Sequence, residues 1–342
     1  MAGFKEILGH EQIIEHLQNA ITMDKVSHAY IINGPDKSGK MMLAQAFAQT
    51  LQCEQLDEKI AAAEGGHSEE IEPCMECHSC KQAMGKNQPD IVYVRHEKPN
   101  TISVDDIRAQ VNNDIVIKPY SSRHKIYIID EAEKMNVQAQ NALLKTIEEP
   151  PAYAIIMLLT TNADGFLQTI LSRCINLNLR GVPAETIKGY LMQKHGIPDY
   201  QADVCATFAQ GNVGKAIQLA SSEEFGQRKK EVLSLIKKVE DKDLPEIAMM
   251  AKGLVEIKNS AEEYFDLMTM WYRDVLYYKS TEDVSNLIFK DEIYDIKKQA
   301  AKKSYHGMEI ILEAIKTARI RVRSNVNFEL VMELLLLAIK EN

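Results

Sequence analysis

The stretch Asn33-Gly34-Pro35-Asp36-Lys37-Ser38-Gly39-Lys40-Met41-Met42 constrains the fold more than any other part of the chain. It follows the Gly-x-x-x-x-Gly-Lys-[Ser/Thr] pattern up to its last position. In that pattern glycines let successive backbone N–H groups wrap phosphates, the lysine reaches the outer phosphates, and the hydroxyl holds Mg²⁺. Gly34, Gly39 and Lys40 supply the first parts, but Met41 stands where the hydroxyl belongs. A thioether is a poor ligand for a hard cation, so the loop is expected to bind phosphate, or merely to fold, rather than to support hydrolysis. The apolar run Ala29-Tyr30-Ile31-Ile32 reads as a strand entering the loop and residues 41–51 as the helix leaving it.

A second motif has matching chemistry. Lys125-Ile126-Tyr127-Ile128-Ile129-Asp130-Glu131-Ala132 is an apolar strand ending in two acids. In that arrangement the first carboxylate organises Mg²⁺ and the second orients water; the bland alternative is a buried strand with two solvated acids. Further strands are expected at Ile91-Val92-Tyr93-Val94 and over residues 154–162, whose polar end, Thr160-Thr161-Asn162, is placed to touch a γ-phosphate. Helices are expected over residues 4–23, from the Ser103 cap to about residue 113, and over 136–149, where Pro150-Pro151 stops the chain. Alternating strands and helices of this kind imply α/β architecture with a parallel sheet covered on both faces. From Pro183 onward the pattern is helical: short helices over 184–195 and 202–220, then longer ones over 223–342, with 328–339 apolar on most faces and expected to be deeply buried.

Four of the six cysteines gather between positions 53 and 80. Cys74-x-x-Cys77-x-x-Cys80 places three thiolates on a tight turn, and Cys53 at the end of the loop helix can supply a fourth. Four thiolates close a tetrahedral Zn²⁺ site with no position left for water, so one structural Zn²⁺ per chain is expected. His67 could replace Cys53, whereas His78 inside the turn would point away from its flanking ligands.

At 342 residues the chain is long enough for two or three domains. Its net charge of −9 argues against a protein that coats nucleic acid by itself. No apolar stretch approaches a membrane span and the N-terminal segment lacks a signal peptide's apolar core, so a cytoplasmic protein without a membrane partner is expected. The basic groups Arg319, Arg321, Arg323, Lys297, Lys298, Lys302 and Lys303 read as solvated helix faces or rim contacts, and Trp271, Tyr272, Tyr277 and Tyr278 as helical core rather than a base-stacking platform.

Several segments carry a resemblance when taken in order: Gly9-His10-Glu11, Ser27-His28-Ala29-Tyr30, the cysteine insertion directly after the loop helix, Ile129 through Met135, Asn141-Ala142-Leu143-Leu144-Lys145-Thr146-Ile147-Glu148-Glu149-Pro150-Pro151, and Ser172-Arg173-Cys174. Over nearly its whole length the chain resembles the clamp-loader branch of the AAA+ proteins, in the form that serves bacterial DNA polymerase III. The resemblance implies an AAA+ P-loop core over residues 1–180 with a zinc module at 53–80, a helical lid over 181–222, and a helical collar over 223–342. It also implies a pentameric ring of one delta-like subunit, three ATPase subunits of the gamma/tau type and this chain, which loads a sliding clamp onto primer-template DNA. In that family the Ser-Arg-Cys motif offers its arginine to a neighbour's ATP site. Arg173 suits the role, because a guanidinium delivered in trans offsets charge developing on the transferred phosphoryl group; the alternative is an arginine paired within its own core.

Two departures separate the chain from the hydrolysing members of that family. One is Met41. The other lies in Gly211-Asn212-Val213-Gly214-Lys215-Ala216, where an active subunit carries a phosphate-touching arginine at the position of Gly214. Lys215 is adjacent but sits about 100° round the helix. No intrinsic ATPase is therefore expected, and ATP or ADP binding through Gly34, Gly39, Lys40, Asp130 and Glu131 is expected to be weak or absent. Two other readings stand beside this one: a hydrolysis-competent gamma/tau-like subunit that tolerates Met41, and a zinc-bearing DNA-binding protein, which the acidic balance disfavours.

Overall fold

Five short strands form one parallel sheet: β1 (Ala29–Asn33), β2 (Ile91–Val94), β3 (Lys125–Ile129), β4 (Ala154–Thr160) and β5 (Ile175–Asn178), in the spatial order β2-β3-β4-β1-β5. The computed structural model of the chain describes residues 3–63, 71–324 and 326–342. Strands β3 and β4 are buried along their whole length and β1 along all but its last residue, because helices cover both faces of the sheet. Period-two alternation divides β1 between two apolar cores, Tyr30 and Ile32 on one side and Ile31 on the other.

The helices of this half are α1 (Glu11–Thr22), α2 (Lys40–Leu51), α3 (Leu56–Ala63), α4 (His78–Met84), α5 (Val104–Ile107), α6 (Val137–Glu148) and α7 (Gln168–Leu171). Phe47 of α2 meets Tyr30 edge to face, with ring centroids 5.4 Å apart. Leu143 and Ile147 of α6 pack into the opposite core with Ile31. Ser103 caps α5 with a reciprocal capping box. These elements build an α/β core with a parallel five-stranded sheet.

The C-terminal half is helical: α8 (Ala184–His195), α9 (Asp199–Ala209), α10 (Val213–Ser221), α11 (Glu223–Val239), α12 (Leu244–Gly253), α13 (Ala261–Thr281), α14 (Ile293–Lys302), α15 (Tyr305–Arg323) and α16 (Phe328–Glu341). The chain forms two compact units, Met1–Tyr190 with Gln210–Lys215, and Leu191–Ala209 with Ala216–Asn342. Residues 181–222 are thus shared between the two. In the second unit Trp271 is fully buried, and its indole N–H donates to Gln299 Oε1 at 2.8 Å. No helix among the described residues is long and apolar enough to cross a membrane.

Several local expectations are corrected. Residues 4–23 are not one helix: a 3₁₀ turn (Phe4–Glu6) precedes α1, and Gly9 and His10, with φ of 77° and 65°, turn the chain between them. Residues 202–220 are likewise broken, at Gln210 and Gly211, whose φ values are 50° and 85°. Strand β5 was not anticipated; of Ile175-Asn176-Leu177-Asn178 only Leu177 is buried, so this edge strand carries little apolar signal. α16 is buried on one face, but Leu330 and Leu334 are 51% and 45% exposed. Lys303, expected to be solvated, is buried with its ammonium 3.0 Å from the Ile339 carbonyl and 3.4 Å from Glu240.

Candidate nucleotide and metal sites

β1 delivers the glycine loop to the carboxyl edge of the sheet, where open α/β sheets hold ligands. The Gly34 N–H donates to the Thr160 carbonyl at the end of β4 (3.1 Å), and a Cβ on Gly34 would come within 2.9 Å of Leu179 and of the Ser38 hydroxyl. Lys37 and Gly39, with φ of 60° and 96°, turn the loop into α2. The lysine, however, is committed to its own loop. Lys40, only 8% exposed, donates through Nζ to Gly34 O at 2.7 Å and Pro35 O at 2.8 Å. Burial pushes its pKa down, against the pull of Asp36, Glu133 and Asp130. Met41 packs against the apolar core, so the side chain in the Mg²⁺-ligand position serves as filler.

The paired acids are divided in their contacts. Asp130 is exposed and accepts the Glu131 N–H at 2.9 Å. Glu131, with φ of 50°, lies 2.7 Å from the Lys134 ammonium and 3.4 Å from His96 Nε2. The hydrogen bond from Lys134 holds its carboxyl below the usual carboxylate range. A third acid, Glu133, did not stand out in the sequence. Thr161 donates to it through its hydroxyl at 2.7 Å and its N–H at 3.3 Å. Burial pushes the Glu133 carboxyl up, yet hydrogen bonds from Thr161 and Thr160 outweigh that and hold it ionised. The polar end of β4, expected at a γ-phosphate, is therefore engaged with Glu133.

Residues 210–215 sit directly on the loop. Asn212 Nδ2 donates to the Asp36 carbonyl at 2.5 Å, and the Gly214 N–H to the Lys37 carbonyl at 3.2 Å. A Cβ at position 214 would lie 2.4 Å from Lys37 O and 2.9 Å from Lys37 Cβ. Backbone lies against backbone here, which supplies a physical reason for glycine at position 214. Beside the loop a groove of 540 Å³ is lined by Gly9, His10, Asn178, Arg180, Val182 and Thr186. The His10 ring bonds to the Ser38 backbone, and burial pushes its pKa down.

Arg173 follows α7 at the core surface. Its Nη1 donates to the Thr169 carbonyl (3.1 Å) and the Ser172 hydroxyl (3.3 Å), and its Nη2 lies 3.0 Å from Glu148 Oε1. The two ion-paired side chains are 41% and 44% exposed, so the guanidinium is paired within its own subunit yet open to solvent. Cys174 packs against the core beneath it, where burial pushes its thiol up to about 12.

The four cysteines converge. Sulfurs of Cys53, Cys74, Cys77 and Cys80 all lie within 4.8 Å of one another, and those of Cys74 and Cys80 are 3.9 Å apart. A tetrahedral zinc thiolate with Zn–S of about 2.3 Å has sulfur–sulfur edges of about 3.8 Å, so the donor set and its size fit that ion. Local structure places each ligand. Cys53 lies just beyond the end of α2, and Cys77 is the N-cap of α4, its sulfur accepting the Cys80 N–H at 3.3 Å. The N–H groups of Cys74 and Cys77 donate to Cys53 Sγ (3.4 Å) and Cys74 Sγ (3.3 Å), the kind of support that stabilises thiolate charge around a metal. The Cys80–Cys53 hydrogen bond pushes Cys53 down to about 5 and Cys80 up. His78 is exposed. His67, the alternative ligand, lies outside the described residues.

A family described as "DNA polymerase III, delta subunit" matches residues 9–183, and its C-terminal counterpart matches 223–341. The delta-prime subunit of DNA polymerase III from Bacillus subtilis is 29% identical over 335 residues, covering 96% of each chain. The tau subunit from the same organism is 28% identical over 311 residues, covering 85% of this chain but 53% of tau. A DNA polymerase III gamma-subunit-related protein from Thermotoga maritima is a structural neighbour at 21% identity and a TM-score of 0.46, covering 96% of this chain and 98% of its own. Matched along both halves in chain order, this chain belongs to the DNA polymerase III delta-subunit family and is a clamp-loader subunit of the delta-prime type.

Proposed function

We propose that the chain is the non-hydrolysing member of a clamp loader, in which it lends Arg173 to the ATP site of an adjoining gamma/tau-type subunit while its own nucleotide site stays idle. One observation carries this reading. Lys40, which should reach phosphate, is bonded to its own loop at 2.7 and 2.8 Å, while Arg173 remains 41% exposed. Around the loop, Met41 offers no oxygen to Mg²⁺, Glu131 is bonded to Lys134, and Gly214 leaves no room for a phosphate-touching side chain. Nucleotide binding through Gly34, Gly39, Lys40, Asp130 and Glu131 is weak or absent on this reading. Residues 1–180, 181–222 and 223–342 act as core, lid and collar, and the collar joins the ring.

In the adjoining site the arginine would offset negative charge on the phosphoryl group as it transfers, a contribution of about a thousandfold or more in turnover. The cysteine cluster holds one Zn²⁺ as a closed, structural site, tying the segment around 74–80 to the end of α2. The partners are the gamma/tau and delta subunits, and through them the sliding clamp and primer-template DNA.

The test is ATP turnover by the purified chain and by the reconstituted complex, each with and without Arg173. The chain alone should not hydrolyse ATP, and Arg173→Ala should leave assembly intact while lowering the complex's hydrolysis. Steady turnover by the isolated chain that vanishes in Lys40→Ala would instead establish a gamma/tau-like motor.

A further inference from the structure

We propose that Glu148 is a positioning residue for Arg173: its carboxylate holds the guanidinium on the outer face of the core, in the orientation in which it is offered to a neighbouring subunit's nucleotide. This rests on the trans-acting role proposed above for Arg173.

Three acceptors meet the Arg173 guanidinium, and they are not equivalent. Thr169 and Ser172 belong to the same short stretch as Arg173 and move with it, whereas Glu148 belongs to α6 and is the contact that fixes the group against the rest of the core. The two hydrogen bonds use Nη1 and the ion pair with Glu148 uses Nη2; the Nε–H meets no acceptor among the described residues, leaving a donor for an anion from outside.

The placement of Glu148 is unfavourable by itself. It is the last residue of α6, where the helix presents its negative end and where a cation, not an acid, is stabilised. Pro150-Pro151 prevents the helix from carrying the side chain further round, and Glu149, with φ of −127°, has already left helical geometry. A carboxylate at that point is offset by the guanidinium 3.0 Å away. Both groups are too exposed for the pair to matter much to folding, so its consequence lies in where the guanidinium points.

A long arginine side chain released from one of its contacts samples more rotamers, and catalytic groups displaced by about 1 Å can lose about a hundredfold in rate. Since the Thr169 and Ser172 contacts remain, loss of Glu148 should cost less, about three- to tenfold. The loss should fall on kcat, because the interaction is realised in the transition state rather than in ATP binding.

The experiment uses a clamp loader reconstituted from full-length subunits in which only the site adjoining this chain can hydrolyse ATP. Turnover is measured for the parent, Glu148→Ala, Glu148→Gln, Arg173→Ala and the Glu148→Ala/Arg173→Ala pair, each checked by thermal unfolding. Glu148→Ala should lower kcat about three- to tenfold with KM for ATP changed less than about twofold. Glu148→Gln, which keeps an acceptor oxygen, should recover part of the loss, and it decides the matter if Glu148→Ala proves poorly folded. In the Arg173→Ala background Glu148→Ala should have no further effect. Unchanged or faster turnover in Glu148→Ala, beside a slow Arg173→Ala, overturns the positioning role and leaves the finger in place. A Glu148→Ala loss that persists without Arg173 marks a structural role and overturns it as well. Full turnover in Arg173→Ala removes the finger reading itself, and this inference with it.

Discussion

The two ends of α2 carry the two strongest motifs in the chain, and they come to different ends. At the carboxyl end, four thiols from two segments, Cys53 and the turn 74–80, converge on one another at the spacing a tetrahedral cation needs. At the amino end, three of the groups expected for a nucleotide have a protein partner instead: Lys40 its own loop carbonyls, Glu131 a neighbouring lysine, Thr161 the Glu133 carboxylate. Residue types in a motif declare which chemistry is available. Which partner takes it up depends on what the fold brings within about 3 Å.

The sharpest way to break this contrast is at the cysteine end. Metal analysis should find about one Zn²⁺ per chain, and its removal should forfeit stabilisation on the order of 10 kcal/mol, seen as loss of cooperative unfolding around the cysteine cluster. A metal-free chain of unchanged stability would sink the thiolate site. Next in size is Arg173→Ala, expected to slow single-turnover hydrolysis in the adjoining subunit by about a thousandfold, or about 4 kcal/mol, without loss of assembly. Gly214→Arg probes the crowding on the loop; it should destabilise the chain by about 2–3 kcal/mol in urea unfolding, since the new Cβ meets Lys37 backbone at 2.4 Å. A neutral result would mean the glycine is not required by close approach.

Smaller effects sharpen the nucleotide end. Met41→Thr restores the missing oxygen but not the rest of the site, so calorimetry should show Mg²⁺-ATP affinity raised by less than about tenfold, and turnover should remain absent. The smallest effect concerns Glu131. Its carboxyl is held below the usual range by Lys134, so the stability it contributes is complete above the unfolded value of about 4.3 and is lost as pH falls through the lower folded value. Exposure of 48% limits that contribution to about 0.5 kcal/mol. Lys134→Ala should therefore match the parent in acid and differ slightly at neutral pH.

Much of the fold was legible because its signals are local. The apolar runs entering the glycine loop and the paired acids are buried strands, and an apolar run bounded by turn residues leaves few other options. β5 escaped notice for the opposite reason: as an edge strand it buries only Leu177 and needs no apolar run. The breaks at Gly9-His10 and Gln210-Gly211 escaped too, because the apolar periodicity continues across them while backbone φ does not. Among the site residues, Glu133 and Glu148 sit inside motifs already singled out, yet their partners Thr161 and Arg173 lie 28 and 25 residues away in the chain. No spacing rule links positions that far apart.

By itself the amino-acid sequence determined a glycine loop of the phosphate-binding pattern without its metal-ligand oxygen, a thiol set able to close on a cation, and an α/β half followed by helices, because each follows from side-chain chemistry and short-range periodicity. Only the tertiary structure decided that Lys40 bonds to its own loop, that Gly214 lies against Lys37, and that Arg173 pairs with Glu148 at the surface. Those are contacts between segments distant in the chain or choices among several acceptors within reach, and packing geometry alone selects them.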